Sequence, residues 1–298
     1  KVSIDKIKGI FICSLGNELG LDALKTAESV IKLANTKMAG AIRMVSISLG
    51  VDPRDFTLFA FGGAGPLHAS SLAKELGIPK VLIPARPGIT NALGCVVADL
   101  RQDFTKTLNV PIDKVNITHI HKIFTDQEAK GIELIKNQGL DLEKISSSYS
   151  LDMQFIGQTH ILRVNIPNPM PDLNYLQTRF EEIYLKRFKV ELSQIKANIV
   201  NINTTVQGHR DPLDISFLNN LSEKVTNIKD ALLEQREVFF QDKLIMTPIY
   251  SRDKMPFNFN LKGPAIIEQM DTTTLVEPGD NAYGDSFGNI FIEVGNDI

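Results

Sequence analysis

The chain has 298 residues, 43% of them hydrophobic and 22% charged, with a formal net charge of −3. A chain of that length implies about two domains with a substantial buried core. The near-neutral balance carries no polybasic footprint for nucleic acid or a membrane surface, and no apolar run reaches the roughly 18 residues of a spanning helix. The two cysteines, Cys13 and Cys95, lie in apolar stretches outside any C-x-x-C pattern. That usage fits a reduced cytoplasmic setting better than a disulfide scaffold.

From the N-terminal side, DALKTAESVIKLANT (22–36) predicts a helix with an apolar face of Ala23, Ala27, Val30, Ile31 and Leu33 turned to the core. A second helix is expected from Lys37 to about Ser48, with Met38, Ala39, Ala41, Ile42 and Val45 packing closely on a sheet. FAFGGAGPLHASSLAKELG (59–77) then reads as a buried strand end, a glycine turn and a helix. Phe59, Ala60 and Phe61 run into Gly62 and Gly63, where glycine permits positive φ and a close backbone approach. Pro66 suits the first helical turn, and Ala69, Leu72, Ala73 and Leu76 repeat as one buried face that Gly77 closes. Such a turn beside a helix N-terminus is a candidate nucleotide or phosphate site, although glycines also join strands to helices where nothing binds. His68, in that first helical turn, either contacts a ribose or phosphate oxygen and serves acid–base chemistry, or caps a loop carbonyl.

KVLIPA (80–85) predicts a buried parallel strand, and GITNALGCVVADL (88–100) a helix with Ala92, Cys95 and Val96 on one face. Asp99, Arg101 and Asp103 at its end either send a charge into a cleft or form an ion-paired helix terminus.

Composition changes beyond about Leu108. Ile120, Ile123, Phe124, Leu134 and Ile135 mark an amphipathic helix over about 117–137, closed by Gly139. His119 and His121, two apart on it, face different ways, and no metal site is expected. Tyr149, Leu151, Met153 and Phe155 alternate, Gly157 turns the chain, and Leu162, Val164 and Ile166 alternate again as a β-hairpin. Gln158 and His160 there either face a partner or act as turn residues. Asp172 is the expected N-cap of a helix carrying Leu173, Leu176, Phe180, Ile183 and Tyr184. A strand over 197–206 precedes a polar connection from Gly208 to about Leu233 with one short helix. REVFFQDKLIMTPIY (236–250) predicts a hairpin, and the span 263–294 three more short strands. Within it, Glu268 and Asp271 are candidate acid–base or metal-binding carboxylates beside three threonine hydroxyls, or else members of a capped β-turn.

The string from Asp52 to Phe104, DPRDFTLFAFGGAGPLHASSLAKELGIPKVLIPARPGITNALGCVVADLRQDF, closely resembles the hydantoinase A / 5-oxoprolinase family. LDMQFIGQTHILRVNIP (151–167) and EQMDTTTLVEPG (268–279) resemble it too, while YLKRFKVE (184–191) departs from the aromatic-rich stretch usual there. The resemblance implies an α/β N-terminal part, a partial lobe of an actin-like ATPase of the Hsp70 and sugar-kinase superfamily, followed by an α+β to mostly β C-terminal part. The parts would be 1–107, 108–233 and 234–298. It implies that Gly62, Gly63 and Gly65 lie against the adenosine of ATP, with His68 as a polar contact. The implied activity is ATP-dependent hydrolysis of a cyclic amide of the hydantoin or 5-oxoproline kind, in which the ring amide oxygen is phosphorylated and Mg²⁺ neutralises the phosphates. The opening KVSIDKIKGIF has neither a methionine nor a leader pattern, and no D-x-G-x-T phosphate motif occurs. The expectation is therefore that the main phosphate site lies in an N-terminal lobe of the same protein, outside this sequence. A hydantoinase B-like second subunit is the implied partner, and this chain alone is expected to be inactive. Two other readings remain open: a subunit of an acetone or acetophenone carboxylase, and a partner-docking module without chemistry.

Overall fold

The computed structural model describes residues 3–167, 172–192, 194–212 and 224–295, so the expected connection after Gly208 lies partly outside them. Ser3 caps α1 (Ile4–Phe11), which passes through a π-helical turn at Ile12–Gly16 into the single turn α2 (Asn17–Leu19). Asp22 caps α3 (Ala23–Leu49) by accepting the Lys25 N–H at 2.9 Å, and Gly50 at φ +67° ends it. One 27-residue helix thus replaces the two expected, because neither glycine nor proline separates Thr36 from Lys37. Its buried positions are small or polar (Ala23, Thr26, Asn35, Ala39, Ser46), whereas Val30, Ile31 and Leu33 are exposed instead of facing the core.

β1 (Thr57–Phe59), α4 (Gly65–Leu76) and β2 (Lys80–Ile83) form a βαβ unit with parallel pairing, Thr57 opposite Lys80. Ala69, Leu72, Ala73 and Leu76 are buried as their spacing predicts, and Gly77 at φ +70° closes α4. Phe59 and Phe61 are not buried: β1 is an edge strand and leaves them 46% and 37% exposed. α5 (Thr90–Val97) is shorter than expected and has no buried residue; Cys95 on it and Cys13 are free, exposed thiols. β3 (Leu100–Pro111) begins where that helix was expected to end, so Arg101 and Asp103 pair at 2.8 Å along a strand and not at a helix terminus.

α6 (Ile117–Lys136), β4 (Lys144–Phe155), β5 (Leu162–Ile166), α7 (Leu173–Phe188) and β6 (Ala197–His209) follow in the kinds expected, with Asp172 capping α7. β7 (Leu232–Phe240) and β8 (Lys243–Ser251) make the expected hairpin, and β9 (Asn260–Lys262) follows. The tail holds four strands instead of three: β10 (Ala265–Gln269), β11 (Thr272–Val276), β12 (Asn281–Gly284) and β13 (Ile290–Glu293). No helix among the described residues is long and apolar enough to cross a membrane.

Contacts divide the chain into two compact units, 1–94 with 214–298, and 95–213. This differs from three successive parts, because β13 pairs with β2 and carries the C-terminal strands into the first unit. Sheet order there is β1-β2-β13-β12-β9, with a second sheet β11-β10-β8-β7. The core joins Leu72 and Leu76 of α4 to Val81, Ile83, Ile267, Val276, Ile290 and Ile292.

The second unit is an antiparallel sheet, β3-β6-β4-β5, whose inward residues Leu151, Met153, Phe155, Val164 and Ile199 meet Ile120, Ile123 and Phe124 of α6 and Leu176, Phe180 and Tyr184 of α7. At the sheet's end, Asp99 accepts the Arg210 N–H at 3.1 Å and meets His209 Nδ1 at 2.7 Å. His209 Nε2 lies 2.7 Å from Ser146 Oγ, so this line of groups fastens the ends of β3, β4 and β6.

Asp152 on β4 stands opposite Arg163 on β5 and accepts from it at 2.8 Å. Burial alone would push its carboxyl up; the hydrogen bonds from Arg163, Asn203 and Asn201 outweigh that and hold it below the ordinary 3.8. A depressed folded value means stabilisation that is complete above the unfolded value and lost as pH falls through the folded one. Thermal melts are therefore expected to show a falling Tm as pH drops below about 4, with a shallower fall in Asp152→Asn.

Candidate functional site

Three turns of the first unit meet at the end of β1. Ala60 N–H donates to Leu82 O at 2.9 Å and prolongs the pairing with β2 by one residue. Gly62 then takes φ +84°, a conformation that strains any residue with a Cβ, and its N–H donates to Pro87 O at 2.8 Å. From the other side Thr272, buried at the start of β11, shares its hydroxyl proton between Gly62 O and Gly63 O, each at 3.1 Å. The glycine turn is thus held by the Pro87–Gly88 turn and the Asp271–Thr272 turn. Both carbonyls of the glycine pair are satisfied inward, leaving the outer surface of the turn open.

The glycines differ in what they do. A Cβ on Gly62 would meet nothing within 4 Å, so φ alone requires glycine there. On Gly63 it would meet Asp271 O at 3.4 Å, and on Gly65 the Ala60 carbonyl carbon at 3.9 Å, both ordinary contacts. Neither Gly63 nor Gly65 is demanded by this chain's own packing. Gly88 is: a Cβ there would fall 2.0 Å from Asp271 Oδ2 and 2.8 Å from its Cβ. Gly88→Ala is expected to cost about 1–3 kcal/mol in a urea melt, and Asp271→Gly in the same chain to recover most of it.

The turn after β2 is braced from the tail. Arg252 is 5% exposed, and its Nη2 donates to Pro84 O at 2.6 Å, Gly288 O at 3.1 Å and Ile83 O at 3.4 Å. Burial lowers its pKa to about 10, helped by the nearby Arg86 charge, against Asp253, Asp271 and Asp285, which favour the cation. Arg86 pairs with Asp253 at 3.2 Å, Gln269 donates to Ala85 O at 3.3 Å, and Asn289 accepts the Ala85 N–H at 3.1 Å. Farther along α4, Lys74 bridges Glu277 at 2.9 Å and Asp280 at 3.3 Å, while Ser71 donates to Glu277. Burial pushes the Asp280 carboxyl up, against the Gly295 N–H and Lys74, which hold it down.

His68 Nδ1 lies 2.7 Å from the Asn35 side-chain oxygen on α3. That oxygen can only accept, so Nδ1 donates this bond. Neither a loop carbonyl nor an isolated ring is found; the partner is a buried amide. Glu268 and Asp271 make separate contacts. Glu268 meets Arg236 at 3.5 Å, whereas Asp271 packs on Gly88. Among the described residues no three His, Cys, Asp or Glu side chains converge as a metal site would require. Sequence reasoning missed Thr272, Gly88 and Arg252, and only the threonine run carried a signal.

The profile of the family described as Hydantoinase/oxoprolinase matches residues 1–104, and that of the Hydantoinase/oxoprolinase C-terminal domain matches residues 112–292. The chain belongs to the hydantoinase/oxoprolinase family. Among curated relatives, an uncharacterised protein of Methanocaldococcus jannaschii is 32% identical over 95% of this chain and 40% of its own. The caprolactamase subunit alpha of Pseudomonas jessenii is 29% identical over 94% and 40%, and a 5-oxoprolinase of Dictyostelium discoideum 28% over 91% and 21%. The chain therefore spans about 40% or less of the length of these hydantoinase/oxoprolinase relatives. The crystal structure of the ATP-dependent caprolactamase from Pseudomonas jessenii superposes with a TM-score of 0.78 at 27% identity, covering 97% of this chain and 42% of that one. A nucleotide-free acetone carboxylase structure, at TM-score 0.72 and 21% identity over 99% and 43%, bears on the fold alone.

Proposed function

We propose that this chain supplies the adenosine-side surface of an ATP-dependent enzyme that opens a cyclic amide. The observation that carries the reading is the meeting of two family strings, 52–104 and 268–279, around the Gly62–Gly63 turn at the N-terminus of α4. Gly63 and Gly65 have room that this chain's own packing does not use, which is the shape a flat ligand face needs. Gly62, Gly63 and Gly65 would lie against the nucleoside, and His68, held by Asn35, would be its polar contact. ATP would supply the phosphoryl group that makes the ring amide carbon electrophilic, with Mg²⁺ on the phosphates. Glu268 and Asp271 are not assigned to chemistry, since each has a structural contact.

A partner is part of this reading. Two relatives are named as subunits, caprolactamase subunit alpha and acetone carboxylase beta subunit, and the remaining lobe and a second subunit would complete the site. The acetone carboxylase relative favours a second reading, ATP-dependent activation of a ketone.

The test is calorimetry with ATP and Mg²⁺ on the assembled protein and on its Gly63→Val variant, with thermal melts as a fold control. Binding weakened at least about tenfold by the extra carbons of Gly63→Val, at unchanged Tm, supports the site. ADP release stimulated by caprolactam, hydantoin or 5-oxoproline selects amide opening, and stimulation by acetone with bicarbonate selects the ketone reading. Equal binding by both proteins removes the glycine turn from the nucleotide site.

A further inference from the structure

We propose that Ser146, His209 and Asp99, at one end of the antiparallel sheet of the second unit, form a nucleophilic triad that cleaves a small carboxylic ester. Ser146 Oγ lies 2.7 Å from His209 Nε2, and His209 Nδ1 lies 2.7 Å from Asp99 Oδ2. The Arg210 N–H and the His209 ring outweigh burial and hold the Asp99 carboxyl below the ordinary 3.8, so it is ionised at neutral pH. An ionised carboxylate accepts, so Nδ1 donates to it, and in the neutral imidazole Nε2 is then the acceptor for the Ser146 hydroxyl. Hydroxyl to imidazole to carboxylate is the order in which a serine becomes a nucleophile.

The register of the sheet builds this line. Ser146 on β4 stands opposite Gln207 on β6, so His209, two residues on, is its diagonal neighbour on the same face. Leu100 pairs with Gly208, which brings Asp99 beside His209. The Arg210 N–H holds Asp99 Oδ1 at 3.1 Å and leaves Oδ2 for the ring. The groups are within reach of solvent: the His209 and Asp99 side chains are 26% and 36% exposed, and Ser146 is half-buried.

A donor for the developing oxyanion comes from the same strand. β5 pairs with β4 from Tyr149 to Met153, so the edge of β4 from Lys144 to Ser148 has no strand on that side among the described residues. Amides along an antiparallel strand point alternately to either side, so one of Ser146 and Ser147 turns its N–H to the open edge. That amide is the donor assigned to the oxyanion. Gln207 and Ser148, which share the face with Ser146, are polar and uncharged and suit a short polar acyl group.

Ser146 Oγ adds to the ester carbonyl carbon as its proton passes to His209 Nε2. The carbon–oxygen bond to the alcohol breaks, and the alcohol leaves with that proton. Water then adds to the acyl carbon of the Ser146 ester and gives a proton to His209. The acid departs as Ser146 recovers that proton. No nucleotide takes part, so the inference stands or falls apart from the ATP reading.

The experiment treats the full chain, in the assembled protein, with diisopropyl fluorophosphate and locates adducts by tandem mass spectrometry. Ser148, exposed on the same strand and without an imidazole bond among the described residues, is the reference. Ser146 is expected to be modified at least about a hundredfold faster than Ser148, and Asp99→Asn to slow that reaction at least about tenfold. Hydrolysis of p-nitrophenyl acetate is the second readout, expected to fall at least about tenfold in Ser146→Ala at unchanged Tm. The labelling of the unmutated protein needs no variant to fold. An unmodified Ser146, equal rates at Ser146 and Ser148, or a Ser146→Ala variant with the parent's esterase rate overturns the proposal and leaves the line a clasp between strands.

Discussion

Arg252→Ala is expected to lower the unfolding free energy by about 2–4 kcal/mol in a urea titration, one of the two largest single-residue effects in the molecule. The Arg252 side chain is buried and its Nη2 serves three carbonyls, Ile83, Pro84 and Gly288, at the end of the β2–β13 pairing. Truncation leaves those oxygens without their cationic donor in a site closed to bulk water, and unsatisfied acceptors cost more than a hydrogen bond gains. Burying the guanidinium also costs free energy, as the lowering of its pKa to about 10 shows, and this limits the net effect. Arg252→Lys keeps the charge and loses the planar fork, so it is expected to recover less than half of the loss. The consequence reaches the candidate site. Pro87, the acceptor of the Gly62 N–H, sits three residues beyond Pro84, and amide exchange at Gly62 should accelerate in Arg252→Ala. A loss below about 0.5 kcal/mol would mean that Arg252 does not organise this turn.

Phe155→Ala is expected to destabilise the second unit by about 3–5 kcal/mol. Phe155, the last residue of β4, is fully buried, and its ring meets Phe180 and Tyr184 edge-on, each at 4.8 Å between centroids. Removing it opens a cavity between the sheet and α7 and forfeits both aromatic contacts. Phe155→Leu refills much of that volume and should cost about 1.5 kcal/mol or less. The measurement is a urea melt of each variant; an Ala variant within about 1 kcal/mol of the parent would place the unit's stability elsewhere than this aromatic cluster.

Features written within a few neighbouring residues were legible in the sequence. The buried face of α4, its closing Gly77, the Asp172 cap and the Gly157 hairpin each depend on local spacing or a required backbone angle. α3 was legible as helix and not as orientation: its apolar side chains are exposed, and small residues such as Ala39 face inward. Composition cannot tell an apolar stripe that meets this chain's core from one that does not. The start of β3 resembles a helix end because its alternating charges, Arg101 and Asp103, also suit a terminus; the ladder to β6 that decides the matter lies about a hundred residues away. The candidate site was half legible. The glycine turn and the family string at 268–279 are visible in the sequence, but nothing local says that Thr272 reaches Gly62 or that Asp271 packs on Gly88. Nothing in the residues beside Arg252 says that three carbonyls distant in sequence will surround it.

The pairing of β2 with β13 sets an order of events during synthesis. Residues 95–213 form a contiguous unit, free to close once they leave the ribosome. β1, α4 and β2 emerge earlier, yet β2 lacks its neighbour on the side away from β1 until Ile290–Glu293 appear, some two hundred residues later. Val81 and Ile83 of β2 are completely buried once that pairing is made. The nascent chain therefore carries β2 without its β13 partner while residues 95–213 are already free to fold.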